Sequence, residues 1–307
     1  LHGKRVLITG AGGSIGSELA RQIYKLEPQH LILCDHSEFN LYDIDKELRL
    51  SENGKIIPLL LDIKDKKNLL KAFLTYKPEV VFHAAAYKHV HLVEANPNPA
   101  ILNNIGGTLN LLEACQQLSV EKFVLISTDK AVNPAGIMGA TKRVCELLTT
   151  EYANLTGKAY SAVRFGNVLG SSGSLVPLLK KQIEDGGPVT ITHEKMTRFF
   201  MLIPEAVSLV LLSSTLSKPG DINVLKMGDP IRIVDIARSL ISIMGKTEEE
   251  IPILFTDPRP GEKMFEELYI RGDELQTEHP DILTVSRGDR TTKPTDINFV
   301  KQINELI

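Results

Sequence analysis

An α/β fold organised around a doubly wound parallel sheet is predicted by three features of this sequence. Short β-branched and apolar runs alternate with amphipathic segments of ten or more residues through the first half of the chain. A glycine-rich turn joins the first run to the first amphipathic segment, and an aspartate, Asp35, closes the second run. Strands separated by whole helices imply right-handed crossovers and therefore a parallel sheet.

The elements follow in order. Lys4 to Thr9 reads as a strand, Ser14 to Leu26 as a helix with Ile15, Leu19 and Ile23 on one face, His30 to Cys34 as a strand, Phe39 to Leu50 as a helix, and Lys55 to Leu61 as a strand. Next come a helix near Lys66 to Tyr76, a strand at Val80 to His83 and a long helix from about Pro99 to Leu118. A strand at Glu121 to Ile126 and a helix at Gly139 to Glu151 complete the regular pattern. Beyond Val163 it gives way to Gly, Pro and Ser clusters, at Gly170 to Gly173, Gly186 to Pro188 and Asp257 to Gly261, which mark a smaller, irregular C-terminal lobe.

Composition sets outer limits on function. The 307 residues are 43% apolar and 24% charged, ordinary for a globular chain with a large core. A formal charge of −3 supplies no basic field, so nucleic acid is not an expected partner. Cys34, Cys115 and Cys145 are spread through expected strands and helices, which fits a reducing, cytoplasmic setting and no disulfide frame. His83, His89, His91 and His193 do not fall at metal-ligand spacing, so no metal is expected. The abrupt start at Leu1, just before the first strand, suggests that a longer protein continues upstream.

Thr9-Gly10-Ala11-Gly12-Gly13-Ser14-Ile15-Gly16 joins the first strand to the first helix. Gly10, Gly13 and Gly16 suit a tight turn, close backbone approach to a pyrophosphate and helix packed on sheet, while the helix amino end, with Ser14 and Ile15, attracts phosphate charge. Asp35, with Ser37 and Glu38 beside it, is placed to accept ribose hydroxyls; a 2′-phosphate would meet that carboxylate, which favours NAD over NADP. Asp62 and Ile63 follow the third strand, where an adenine edge would lie, and Ala84, Ala85 and Ala86 follow the fourth, where a cofactor needs small neighbours. Residues 1–167, with a return segment near 195–227, are therefore expected to form a Rossmann domain that binds NAD. Residues 168–194 and 228–290 are expected to form the substrate-binding lobe, and 291–307 a C-terminal tail.

These motifs, with Asn104-x-x-Gly107-Thr108-x-Asn110, resemble the extended short-chain dehydrogenase/reductase superfamily. Three longer segments narrow the resemblance: Ser127 to Pro134, Arg164 to Ser174 and Asp257 to Lys263. Together they resemble bacterial UDP-N-acetylglucosamine 4,6-dehydratases, with coverage from about Lys4 to Leu268. In the wider superfamily a tyrosine stands where this chain has Met138, four residues before Lys142. Within the narrower family methionine is a known variant.

The resemblance implies a cycle in which hydride leaves C4 of the sugar for NAD, water is eliminated across C5 and C6, and hydride returns to C6. It gives Lys130 the role of base at C5 and Asp129 that of acid at the C6 hydroxyl, with Thr128 at the C4 oxygen and Lys142 at the nicotinamide ribose. Burial would push Lys130 towards neutrality and Asp129 towards protonation, while their mutual attraction opposes both. Because the Met138 thioether carries no proton, the C4 hydroxyl proton would go to Lys130 or Asp129. Asn104 is carried over as a cofactor contact. For the sugar nucleotide, UDP-N-acetylglucosamine, the implied contacts are Lys88 near the hexose, Asn167 and Ser171 in a Gly/Ser loop, Arg198 and Arg259 on phosphate oxygens, and Glu262 at the uridine ribose. Leucine-rich helices suggest a homo-oligomer, and some relatives carry a membrane anchor before this domain. Two rival functions remain: a UDP-sugar 4-epimerase, which needs no acid and base at C5 and C6, and a non-catalytic NAD-binding sensor, suggested by the missing tyrosine.

Overall fold

The computed structural model describes residues 1–49, 55–270, 272–285 and 297–306. The expected end of the second helix at Leu50, residues 286–290 of the lobe and residues 291–296 of the tail lie outside the described residues. The doubly wound parallel sheet is present. Its first six strands are β1 (Arg5–Thr9), β2 (His30–Asp35), β3 (Ile56–Leu60), β4 (Val80–His83), β5 (Lys122–Ile126) and β6 (Ala159–Arg164). They lie in the order β3-β2-β1-β4-β5-β6, followed by Ile222–Leu225, Ile282–Val285 and Glu274–Gln276. Pairing is parallel throughout β1 to β6 and Ile222–Leu225, and antiparallel in the last two strands. Pro58 sits in β3 opposite Leu33 without cost to the ladder, because β3 is an edge strand.

Among the described residues, seven α-helices connect these strands: α1 (Ser14–Tyr24), α2 (Glu38–Arg49), α3 (Lys66–Tyr76), α4 (Val90–Ala95), α5 (Pro97–Ala100), α6 (Gly107–Gln117) and α7 (Ile137–Thr156). Strand side chains alternate between two apolar faces, as a sheet covered on both sides requires. Val6, Ile8, Leu31, Leu33, Phe82 and Val124 join Leu19 and Ile23 of α1 on one side. Leu7, Ile32, Val81, Phe123 and Leu125 meet α3, α6 and α7 on the other, and there the leucines Leu109, Leu111, Leu112 and Leu148 are buried. Among the described residues, no helix is long and apolar enough to cross a membrane.

Three expectations change. The long helix near Pro99 to Leu118 is broken into α5, a π-helical stretch at Ile101–Gly106, and α6; the wider turn carries Asn104, and such turns concentrate at functional positions. The region 228–290 does not belong wholly to the lobe, since Glu274–Gln276 and Ile282–Val285 cover the sheet edge that Ile222–Leu225 would otherwise expose. The tail contains a helix, Ile297–Leu306, whose Phe299, Val300 and Ile303 pack on the second face of the core. The smaller lobe has its own core, with Leu179, Ile183, Val189, Ile191, Val234 and Ile241 buried together.

Phe123 is fully buried in β5, its ring centroid 5.8 Å from Tyr160 and 6.0 Å from His83. Phe123→Ala is expected to lower stability by about 3–5 kcal/mol through the cavity it leaves, shown by a lower urea midpoint at unchanged slope.

Candidate active site

The strand order reverses between β1 and β4, so the crevice for a ligand opens beyond their carboxyl ends. Gly10 lies there at φ +67°, and a Cβ on it would stand 2.8 Å from the Ala85 backbone. A Cβ on Gly16 would strike the Gly10 carbonyl oxygen. The loop is thus closed against Ala84-Ala85 and α1 in a way that only glycine permits. Asp35, at the end of β2, accepts the Gly12 N–H at 2.9 Å through Oδ2 and the Ser37 N–H at 2.9 Å through Oδ1. This bond pattern fixes the carboxylate beside the loop while each oxygen keeps acceptor capacity for a hydroxyl. Ser37 caps the start of α2, its Oγ accepting the Asn40 N–H at 3.3 Å, and Glu38 opens the helix in an exposed position.

Other expected cofactor contacts also make internal ties. Asp62 accepts the Lys64 N–H at 2.9 Å, and the Ile63 side chain is buried where a Cβ on Gly107 would strike it. Asn104 is only 1% exposed, and its amide is fully used. Its oxygen accepts from the Tyr87 N–H at 2.8 Å and Asn103 at 3.1 Å, and its nitrogen donates to the Tyr87 carbonyl at 3.1 Å and Thr141 at 3.0 Å. Asn104 therefore holds the loop after Ala86 against α7. Ala86 is half-buried, and Lys88 is exposed in that loop.

The turn after β5 is held from behind by buried charge. Glu146 of α7 takes a two-pronged grip from Arg164 at the end of β6, both distances 2.7 Å, and accepts the Ser127 hydroxyl at 2.6 Å and Arg143 at 3.1 Å. Burial works to raise the Glu146 pKa, but Arg164 and the further donors outweigh it, and the carboxyl titrates below its usual range. This arrangement locks Ser127-Thr128 to the helix that bears Met138 and Lys142. Gly139 completes the fit, because a Cβ there would collide with the Lys130 carbonyl oxygen. The helix begins at Ile137, two residues before the expected Gly139, and Glu94 of α4 accepts the Ile137 N–H at 2.6 Å.

Thr128 donates to Asp129 Oδ1 at 2.8 Å, and Lys130 Nζ donates to the same oxygen at 3.0 Å and to Asn167 Oδ1 at 3.3 Å. Asp129 is 0% exposed, whereas the Lys130 side chain is 21% exposed. Lys130 thus faces the cleft, and Asp129 stands behind it. Burial lowers the Lys130 pKa, yet Asp129 and Glu266 together outweigh burial and Arg198, so Lys130 is held above the usual lysine value as an ammonium. Lys142 is buried, and desolvation pushes its pKa down. Met138 is packed with Val93 and Ala100 and lines a cleft with Lys130, Glu266, Glu94 and Lys263.

The substrate contacts divide. Asn167 joins Lys130, and Ser171 is buried in the next loop, where the Ser172 N–H reaches Ser14 Oγ at 3.1 Å. Arg259 is exposed, while Glu262 Oε2 accepts the Arg259 N–H at 3.2 Å and closes that turn. Arg198 departs from expectation: it is buried, donates to the carbonyls of Thr197 at 2.7 Å and Met264 at 3.2 Å, and lies 3.8 Å from Glu266. Its guanidinium belongs to the charged cluster around Glu266. Glu266 and Glu94 escaped the sequence reading; the one available signal for Glu266 was a carboxylate set among Met264, Phe265 and Leu268 just after Glu262-Lys263.

Comparison with known proteins adds the wider setting. The family model described as Polysaccharide biosynthesis protein matches residues 6–287. The chain is similar to the capsular polysaccharide biosynthesis protein CapD of Staphylococcus aureus, at 52% identity over 87% of this chain and 45% of that relative. It thus spans about half the length of that protein. It is 33% identical to an inverting UDP-N-acetylglucosamine 4,6-dehydratase of Campylobacter jejuni, over 78% of this chain and 71% of the relative. A UDP-glucose 4-epimerase of Rickettsia canadensis is also 33% identical, over 98% and 87%. The crystal structure of Pen from Bacillus thuringiensis superimposes with a TM-score of 0.86 at 33% identity, covering 93% of this chain and 90% of the other.

Glu146→Gln is expected to cost about 3–5 kcal/mol, since it removes the negative charge that the buried Arg164 guanidinium grips at 2.7 Å. The native Glu146 pKa is depressed, so its contribution is complete above the unfolded carboxyl range and fades as pH falls through the lower native value. Urea midpoints measured from pH 7 to pH 3 should therefore fall more steeply for the natural chain than for Glu146→Gln.

Proposed function

The chain belongs to the Polysaccharide biosynthesis protein family, and on that premise we propose that it is an NAD-dependent 4,6-dehydratase of UDP-N-acetylglucosamine. The observation that carries this choice is the Lys130 ammonium, presented to a cleft and backed by buried Asp129 at 3.0 Å. An epimerase that only oxidises and reduces C4 has no use for a proton-exchanging pair directed at C5 and C6. A sensor has no use for buried charges held at this cost.

The loop fits a dinucleotide: the space a Cβ would fill at Gly10 and Gly16 is closed, and Asp35 is fixed at its edge. Gly10, Gly13, Ser14, Asp35 and Ala84 to Ala86 would hold NAD, with the helix amino end of α1 facing the pyrophosphate. When bound, NAD supplies the reversible oxidation at C4 that acidifies C5–H. Every other step falls to side chains. Lys142, buried near the crevice, places a cationic or donor group at the ribose. Lys130 takes protons from substrate as an amine and returns them as an ammonium, and Asp129 stabilises the charged form. Thr128 orients the Asp129 oxygen that Lys130 uses. Met138 keeps the C4 side of the cleft apolar, so the hydroxyl proton there passes to the Lys130 group and not to residue 138.

Incubation with UDP-N-acetylglucosamine and NAD is expected to yield a 4-keto-6-deoxy product, identified by mass spectrometry as loss of water. A 4-epimer, or no product and no cofactor reduction, would overturn the proposal. Lys130→Met is expected to lower kcat by about 10²–10⁴-fold while NAD affinity, measured by calorimetry, stays the same. Asp35→Ala should weaken NAD binding and leave the fold intact by circular dichroism.

A further inference from the structure

The cleft beside Met138 contains a carboxylate that the proposed reaction has not used. Glu266 Oε1 lies 3.4 Å from Lys130 Nζ and 3.8 Å from Arg198 Nε. Its Oε2 is buried with no hydrogen-bond partner among the described residues, as is Asp129 Oδ2. The two carboxylates differ at their other oxygen: Asp129 Oδ1 accepts hydrogen bonds from both Thr128 and Lys130, whereas Glu266 Oε1 meets Lys130 as an ion pair only. Lys130, Met138 and Glu266 line the same cleft.

Dehydration sets a proton balance that this cluster must meet. The C4 hydroxyl and C5 each give up one proton; the departing C6 hydroxyl and, later, C5 each receive one. A site with tyrosine at position 138 would have a phenol to hold one of these, and a thioether cannot. We propose that Glu266 is the second proton-holding group of this centre, acting through Lys130 in the place that Met138 leaves empty. The inference rests on the dehydratase reading for its substrate.

The exchange runs between two heavy atoms. One Nζ–H bond of the ammonium breaks as an O–H bond forms on Glu266, leaving a neutral amine and a neutral carboxylic acid. The freed amine lone pair takes a proton from substrate and becomes an ammonium again. The proton so taken is that of the C4 hydroxyl; the ammonium passes a proton to the departing C6 oxygen, the amine this leaves takes the C5 proton and later returns it to C5, and the Glu266 O–H bond then breaks and recharges the amine. No electrons change hands, and Asp129 remains the fixed counter-charge. The charged groups that face Lys130 are Asp129 on its own turn, Glu266 and Lys263 after Gly261, Arg198 from the strand Thr197–Arg198, and Glu94 from α4. Of these, Glu266 is a buried carboxylate for which no hydrogen bond is seen among the described residues. Adding a proton to it breaks no bond. Because Glu266 acts through Lys130, it is a positioning residue in this scheme.

The experiment reads Lys130 directly. Full chains of the natural sequence, Glu266→Gln and Glu266→Asp are acetylated across pH 7 to 10 in competition with a free amine, and Lys130 modification is quantified by peptide mass spectrometry. In Glu266→Gln, Lys130 should become reactive at lower pH, with several-fold more label at pH 8, because one of its two carboxylate partners is gone. Glu266→Asp should lie between the two and controls for folding. In turnover of UDP-N-acetylglucosamine, Glu266→Gln should lose about 10²-fold in kcat with KM unchanged, and Met138→Tyr in that background should restore part of the loss. An unchanged labelling profile in Glu266→Gln, or a defect confined to KM, would overturn the proposal. A shifted profile in a protein whose natural form dehydrates no UDP-sugar would instead overturn the dehydratase reading and leave the Lys130–Glu266 exchange standing.

Discussion

The site depends on one buried ion pair. Glu146 and Arg164 lie on different elements, α7 and β6, and the Ser127 hydroxyl at the end of β5 bonds to the same carboxylate. Such a pair gains little net stability over well-packed apolar residues, because both charges lose their water. What it gains is geometry. A two-pronged Arg–Glu contact accepts few relative orientations, so the helix carrying Met138 and Lys142 has one register against the turn carrying Asp129 and Lys130. Gly139 reinforces that register sterically, where helix and turn meet without room for a side chain.

Given that register, electrostatics decides the state of Lys130. A lysine this enclosed would ordinarily lose its proton, and a single carboxylate partner would leave burial and attraction in close contest. Here two carboxylates, Asp129 and Glu266, face it, and their sum exceeds both burial and the opposing charge of Arg198. The ammonium is thus the resting form, while Met138, packed on Val93 and Ala100, adds no titratable group of its own to the cleft. Charged side chains and the Met138 thioether meet along one cleft.

The regular part of the fold was legible because its causes are local. Period and strand composition located β1 to β5, and the turn chemistry of Gly10 to Gly16 placed the crevice at the point where strand order reverses. Two kinds of feature were not legible. The π-helical stretch at Ile101–Gly106 arises from packing around Asn104, whose partners Tyr87 and Thr141 come from other segments. The last two strands join the main sheet because its edge needs cover, a demand that a linear pattern of residues does not record.

The sequence alone determined the kind of fold, the position of the nucleotide loop with Asp35, and the presence of an Asp-Lys pair where a strand ends, since each is written in consecutive residues. Tertiary structure alone decided how those groups behave. It put Asp129 behind Lys130 and turned Arg198 away from the surface. It also brought Glu266, remote in the chain, within 3.4 Å of Lys130. The physical reason is that ionisation and reach depend on which charges share a low-dielectric space, and that sharing is a property of packing.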